Sequence, residues 1–100
     1  DPAVVEAKIR RIVERVDEGE GTLIFTDMLG DTATNVSLAI ARSRGAEVVA
    51  GVNMPMLIKA VSGRHGMRLR ELAGFIRRYG REHIVWATEG VGRLVDGVRR

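Results

Sequence analysis

Three residues around a glycine turn have the types and spacing suited to binding an anion. The segment TLIFTDMLGDTATN places Asp27, Gly30 and Thr32 between an apolar run and the start of a helical pattern. A helix N-terminus presents unpaired N–H groups to phosphate or carboxylate, glycine allows close approach of the backbone, and a threonine hydroxyl donates a hydrogen bond. A carboxylate cannot bind the anion, but it can orient a histidine by accepting its ring N–H. Ordinary capping, with Asp27 in the turn and Asp31 or Thr32 at the helix, explains the same residues equally well.

A second loop, GVNMPML, contains Gly51, Asn53 and Met54. Asn53 is a favourable helix cap, and Pro55 then falls in the first helical turn, where proline is tolerated. Structural capping is a sufficient explanation of this loop when it is considered alone.

Other chemistry has little support in the sequence. The chain contains no cysteine, which excludes disulfides, zinc–thiolate sites and thiol nucleophiles. Its two histidines, His65 and His83, lack an oriented partner in the pattern and are interpreted as surface or packing residues. No metal-ligand spacing and no nucleotide-binding glycine motif is present. We therefore predict no metal and no cofactor.

The apolar periodicity divides the chain into alternating helices and strands. It predicts helices up to residue 16, from residue 32 or 34 to 44, over 53–63 and over 69–80, and strands over 22–26, 46–52 and 82–88. Residues 91–100 are interpreted as a short terminal helix or tail. The first strand, TLIFT, is continuously apolar or β-branched, which is typical of a strand buried on both faces. The first helix is expected to bury one stripe formed by Val5, Ile9, Ile12, Val13 and Val16.

This order predicts one α/β domain over residues 1–100, with a mainly parallel sheet and helices on both faces. In such doubly wound sheets, ligands bind beyond the carboxyl ends of the strands. The Asp27 loop and the Asn53 loop both follow strands, so we expect them on the same edge.

Basic residues cluster in the second half of the chain, although the formal net charge is only +3. Glu71 is the only acidic residue among six arginines, which are Arg64, Arg68, Arg70, Arg77, Arg78 and Arg81. A solvated helix face is the simplest interpretation, and docking of an acidic partner through Arg77 and Arg78 is the alternative. Nucleic-acid binding is disfavoured because only four aromatic residues are present. No apolar run is long enough for a membrane span and no signal-peptide pattern opens the chain, so a cytoplasmic protein is expected.

The two loops together resemble a known family. IFTDMLGDTATN, followed by AEVVAGVNMPMLIKAV and then YGREHI, is similar in order and spacing to the IIA component of mannose-family sugar phosphotransferase systems. The related phosphotransferase subunit of dihydroxyacetone kinase shares the fold, but GVNMPML favours the mannose family.

The resemblance implies a phosphocarrier that takes a phosphoryl group from the small protein HPr onto a histidine and passes it to a IIB protein, or a regulator in incomplete systems. By position, Asp27 matches the carboxylate that orients the histidine, and Met28, Gly30 and Thr32 match the phosphoryl-binding loop. The resemblance also implies a homodimer in which the last strand, HIVWAT, is exchanged between the two copies.

Several features depart from the family pattern. The phosphorylated histidine of the family lies at the end of a strand that precedes the first helix of this chain, so the nucleophile and its strand–helix–strand segment are expected to be absent. His65 and Gly66 imitate the family's His–Gly pair in a different place. Asp31 replaces a glycine, where its charge would repel a phosphoryl group if it points inward. Ala33 replaces a proline, and Leu29 an aromatic residue.

Two functions follow from these features. The first is phosphoryl transfer, with the histidine supplied from outside these residues by a longer protein or a partner. The second is a non-catalytic binding or regulatory module that docks through its arginine-rich helix.

Overall fold

The computed structural model describes residues 1–89. Four helices and two strands follow one another as α1 (Pro2–Val16), β1 (Thr22–Thr26), α2 (Thr32–Arg44), β2 (Ala46–Ala50), α3 (Met54–Gly63) and α4 (Leu69–Glu82). These bounds lie within two residues of the sequence predictions. In the described part of the chain, no helix is long and apolar enough to cross a bilayer.

The two strands form a parallel sheet. Thr22 lies opposite Ala46 and Thr26 opposite Ala50, and the residues between them pair one to one without a bulge. Beyond the strands, the N–H of Val52 donates to the carbonyl oxygen of Thr26 at 3.0 Å. The carboxyl ends of β1 and β2 are therefore held together, which confirms that the two loops leave the sheet at one edge.

Helices cover both faces of this sheet, as predicted. Ile24 points to one side, where it packs against a cluster of Val13, Val36 and Ile40 from α1 and α2. Its neighbours Leu23 and Phe25 point to the other side, because successive side chains of a strand alternate. There they meet Met56, Leu72 and Ile76, which come from α3 and α4.

Helix α1 and strand β1 are less buried than the sequence predicts. Ile12 and Val16 of α1 are 54% and 52% exposed, since among the described elements α1 packs mainly against α2. In β1 only Thr26 is fully buried. Within residues 1–89, β1 pairs with β2 alone and its other edge carries no strand. A cavity of about 360 Å³ is lined by residues that include Leu23 and Phe25 of β1, Val61 of α3 and Leu72 of α4.

The strand predicted over 82–88 is wrong for this chain. Helix α4 continues to Glu82, and His83 closes its last turn by donating its N–H to the Gly80 carbonyl oxygen at 3.2 Å. The following apolar residues Ile84, Val85 and Trp86 are 75%, 66% and 72% exposed and pair with no described strand. A strand needs a neighbour for its backbone hydrogen bonds, and no strand within residues 1–89 lies beside this segment. The expected terminal helix lies outside the described residues.

Candidate functional site

The loop after β1, residues 27–31, forms the more open of the two loops at the carboxyl edge. Asp27 is exposed immediately after the strand. Gly30 has φ of 98°, a conformation that side-chain-bearing residues rarely adopt, so glycine permits the turn that leads into α2. The N–H of Asp31 closes this turn on the carbonyl oxygen of Met28 at 3.4 Å. The loop thus presents a carboxylate beside the first turn of a helix.

Thr34 anchors this loop to the sheet. Its hydroxyl lies 2.6 Å from the carbonyl oxygen of Met28 and 2.8 Å from the hydroxyl of Thr26, in a fully buried position. A hydroxyl carries one proton, so Thr34 donates to the carbonyl and accepts from Thr26. Sequence reasoning missed this residue, because a threonine one turn into a helix gives no distinctive signal.

Asp31, not Thr32, caps α2. Its carboxylate accepts the N–H of Thr34 at 2.7 Å. This N–H is the main reason that the pKa of Asp31 lies below its usual value of 3.8. The charge of Asp31 is directed at the helix backbone, which explains why a carboxylate is stable where the family pattern has glycine.

Donors remain available at the start of α2. Among the described residues, the N–H groups of Thr32 and Ala33 have no hydrogen-bond partner. The Thr32 side chain is exposed, and so are Met28 (62%) and Leu29 (74%). The predicted residues Asp27, Met28 and Gly30 thus lie in one accessible loop, and Thr32 begins the helix that follows it. This arrangement can accept an N–H at Asp27 and donate to an anion from the helix.

The second loop, residues 51–54, is closed by its own hydrogen bonds. The Asn53 side-chain oxygen accepts the N–H of Met56 at 3.1 Å and thereby caps α3. Its amide nitrogen donates to the carbonyl oxygen of Gly80 in α4 at 3.0 Å. Gly51 supplies a turn with φ of 84°, and Met54 is 65% exposed. Asn53 therefore joins two helices and has a structural role.

Gly80 is the second residue that sequence reasoning missed. A β-carbon at Gly80 would overlap with the Met56 side chain. Glycine is therefore required for α4 to approach the start of α3 this closely. The YGRE motif contributed to the family resemblance, but it did not predict that Gly80 is needed for close packing of α4 against α3.

Among the described residues, the remaining candidates form no hydrogen bond or ion pair with the Asp27 loop. Arg77 and Arg78 are exposed on α4. His65 is exposed between α3 and α4, and His83 is exposed after α4, where its Nδ1 lies 2.7 Å from the Tyr79 carbonyl oxygen. Over residues 1–89, no group of three or more His, Cys, Asp or Glu side chains is arranged to hold a metal ion.

Comparisons with known proteins agree with this geometry. The profile of the EIIA-man family, described as PTS system fructose IIA component, matches residues 2–76. The mannose/sorbose-specific IIA subunit of the phosphotransferase system from Enterococcus faecalis is 27% identical, with a TM-score of 0.73; the match covers 81% of this chain and 61% of that subunit. The phosphotransferase system component EIIA from Streptococcus agalactiae is also 27% identical, with a TM-score of 0.78. That match covers 89% of this chain and 69% of the Streptococcus protein. None of the curated proteins matches.

The chain thus spans about three fifths of the first of these subunits. The family profile covers three quarters of this chain, including β1, β2 and both loops. The chain belongs to the mannose-type IIA family of the sugar phosphotransferase system.

Proposed function

We propose that this chain forms the carboxylate-bearing wall of a phosphohistidine site. In this site a histidine receives a phosphoryl group from HPr and transfers it to a IIB protein. The observation that carries the proposal is the Asp27 loop, which combines an exposed carboxylate at the carboxyl end of β1 with unpartnered N–H groups at the start of α2. The family membership supports the same chemistry.

The transfer itself is a displacement at phosphorus. The lone pair of one ring nitrogen on the acceptor histidine forms a new N–P bond while the N–P bond to the donor histidine breaks. The donor nitrogen keeps that electron pair. Asp27 accepts the N–H of the acceptor's other ring nitrogen, which fixes the tautomer and stabilises the positive charge that develops on the ring. The N–H groups of Thr32 and Ala33 face the phosphoryl oxygens.

The acceptor histidine is proposed to lie on a strand that pairs with the open edge of β1. Two observations support this position. Within the described residues, β1 has an unpaired edge and only one fully buried residue, although its sequence is that of a two-sided core strand. A parallel strand on that edge would end beside Asp27, because the carboxyl ends of parallel strands meet at one edge. The chain is then the larger part of one IIA domain that this strand completes.

Two aspartates in the same loop allow a matched test of this proposal. Asp27→Asn and Asp31→Asn each remove one negative charge, and asparagine at residue 31 still caps the helix. The variants are made in the polypeptide, or the complex, that carries both this chain and the acceptor strand. The initial rate of phosphoryl transfer from HPr is then measured. We expect Asp27→Asn to lower the rate about 10- to 100-fold, by analogy with the loss of a carboxylate that orients a metal-binding histidine.

Asp31→Asn is expected to leave the rate unchanged or to raise it, because a charge that repels the phosphoryl group is removed. Equal rates for Asp27→Asn and the unmodified protein would contradict the proposal. Equal losses in both variants would show a general effect of loop charge rather than orientation of a histidine.

Three further properties are proposed from family membership. The protein works in the cytoplasm, where HPr and IIB domains meet it. It forms a homodimer, for which the exposed apolar residues Ile84, Val85 and Trp86 are suitable contact residues. It needs no metal or other cofactor for transfer. Sedimentation of the complete domain tests the dimer, and a monomer at micromolar concentration would exclude it.

A further inference from the structure

One face of α4 carries four arginines that the phosphoryl-transfer site does not use. Their positions are Arg70, Arg77, Arg78 and Arg81, and we call this set the arginine stripe. At about 100° per residue, the four lie within an arc of about 100° and span about 16 Å along the helix. Leu72 and Ile76 are buried on the opposite side of α4, so the stripe faces outward.

The charges of the stripe are largely uncompensated. Arg70 lies 3.6 Å from the carboxylate of Glu47 and has a side chain that is 88% exposed, so this ion pair is weak. In the described part of the chain, Arg77, Arg78 and Arg81 form no ion pair. Gly74 lies among them with the Arg78 guanidinium beside it, and Arg77, Arg78 and Arg81 are exposed.

We propose that the arginine stripe is a docking surface for an acidic segment of a partner polypeptide. Guanidinium groups bind carboxylates through paired N–H donors, and four of them in one narrow row match a single acidic helix or extended segment. The stripe is as wide as one helix, which matches the width of a single bound helix or extended segment.

Nucleic acid fits this surface less well. Glu71 and Glu82 border the stripe on the side of Arg78, where they would face the backbone of a duplex. A single strand needs exposed aromatic faces, but Tyr79 stacks on His83 with a ring separation of 4.0 Å and has the ammonium of Lys59 5.1 Å from its ring centre. These contacts favour a polypeptide as the occupant.

The stripe ends next to the carboxyl edge of the sheet. Arg81 follows Gly80, whose carbonyl oxygen is bound by the Asn53 side chain at 3.0 Å. A partner lying along α4 would therefore reach the edge from which the Asp27 loop also projects. The docking inference stands without phosphoryl transfer, because it depends only on α4.

The test measures binding of labelled poly-L-glutamate to the 100-residue chain, with duplex DNA as the competing probe. The double variant Arg77→Glu/Arg78→Glu reverses two charges of the stripe. Its control, Arg11→Glu/Arg15→Glu, reverses two exposed arginines on α1 and changes the net charge equally. We expect the α4 variant to weaken polyglutamate binding at least about tenfold, and the α1 variant to weaken it less than about threefold.

A milder pair separates docking from misfolding. Arg77→Gln/Arg78→Gln removes the charges without reversing them and is expected to weaken binding by an intermediate amount. Glu71→Lys, which removes an acidic residue from the border, is expected to strengthen it. Equal weakening by the α4 and α1 variants would overturn the proposal, since binding would then follow net charge. It would also be overturned if duplex DNA bound more tightly than polyglutamate and lost its affinity in the α4 variant.

Discussion

The two loops at the carboxyl edge differ in how their polar groups are used. In the 51–54 loop, Asn53 is bonded through both ends of its amide, to Met56 and to Gly80. In the 27–31 loop, Asp27 is exposed and the first N–H groups of α2 have no partner among the described residues. The sequence alone suggested a cap in both loops. Their difference shows that one loop holds two helices together, whereas the other keeps polar groups without a partner among the described residues.

The largest expected effect on stability is at Asn53. Asn53→Ala removes the cap of α3 and the side-chain bond to the Gly80 carbonyl oxygen, which among the described residues then keeps only the His83 N–H. We therefore expect a loss of about 2 kcal/mol in the free energy of unfolding. Urea denaturation measures it. Asn35→Ala is the control, because Asn35 is exposed and makes only a 3.4 Å bond to the Gly30 carbonyl oxygen. A loss below about 0.5 kcal/mol at Asn53 would remove the distinction between the loops.

Thr34 gives the next largest effect, because it is the buried anchor of the otherwise open loop. Thr34→Val keeps the shape of the side chain but leaves the Met28 carbonyl and the Thr26 hydroxyl without their partner. We expect a loss of about 1 kcal/mol. The exposed Thr32→Val serves as the control, and a comparable loss there would contradict the assignment of Thr34 as the anchor.

Asp31 is expected to make the stability of the protein depend on pH in the acid range. Its pKa is below 3.8 in the folded protein, chiefly because it accepts the Thr34 N–H. A lowered pKa adds stability that is complete above the unfolded value of 3.8 and is lost as the pH falls through the folded value. Urea denaturation at a series of pH values is therefore expected to show a decline below pH 3.8 that is smaller in Asp31→Asn. Identical declines in both proteins would contradict this role.

Asp27 is expected to have the smallest effect on stability. Its side chain is exposed, so Asp27→Asn should change the free energy of unfolding by less than about 0.5 kcal/mol. The same variant is expected to slow phosphoryl transfer in the complete domain. A large loss of stability would mean that Asp27 holds the loop together, and its effect on transfer would then be indirect.

The sequence predicted the elements well where the pattern was local. TLIFT became a strand over residues 22–26, Gly45 ended α2 in the left-handed conformation, and Asn53 with Pro55 began α3. These features depend on residues close together in the chain. The segment from His83 to Trp86 has the composition of a strand, but strand formation also needs a partner, which composition does not report.

The site was predicted only as far as its residue types. The resemblance assigned Asp27, Gly30 and Thr32 to one phosphoryl-binding loop, and this assignment stays a prediction. It did not predict that Asp31 would direct its carboxylate at the Thr34 N–H, since the family pattern has glycine there. Thr34 and Gly80 act through contacts with residues 6 to 27 positions away, which no local pattern encodes.

The most direct test of the central claim is the intact mass of the protein before and after incubation with phosphoenolpyruvate, the first enzyme of the phosphotransferase system and HPr. Peptide mapping then locates any added phosphoryl group. We predict one acid-labile group on a strand-end histidine from outside residues 1–100, and none on His65 or His83. Phosphorylation of His65 or His83 would contradict the account. So would the absence of any group on a polypeptide that carries both the strand-end histidine and Asp27.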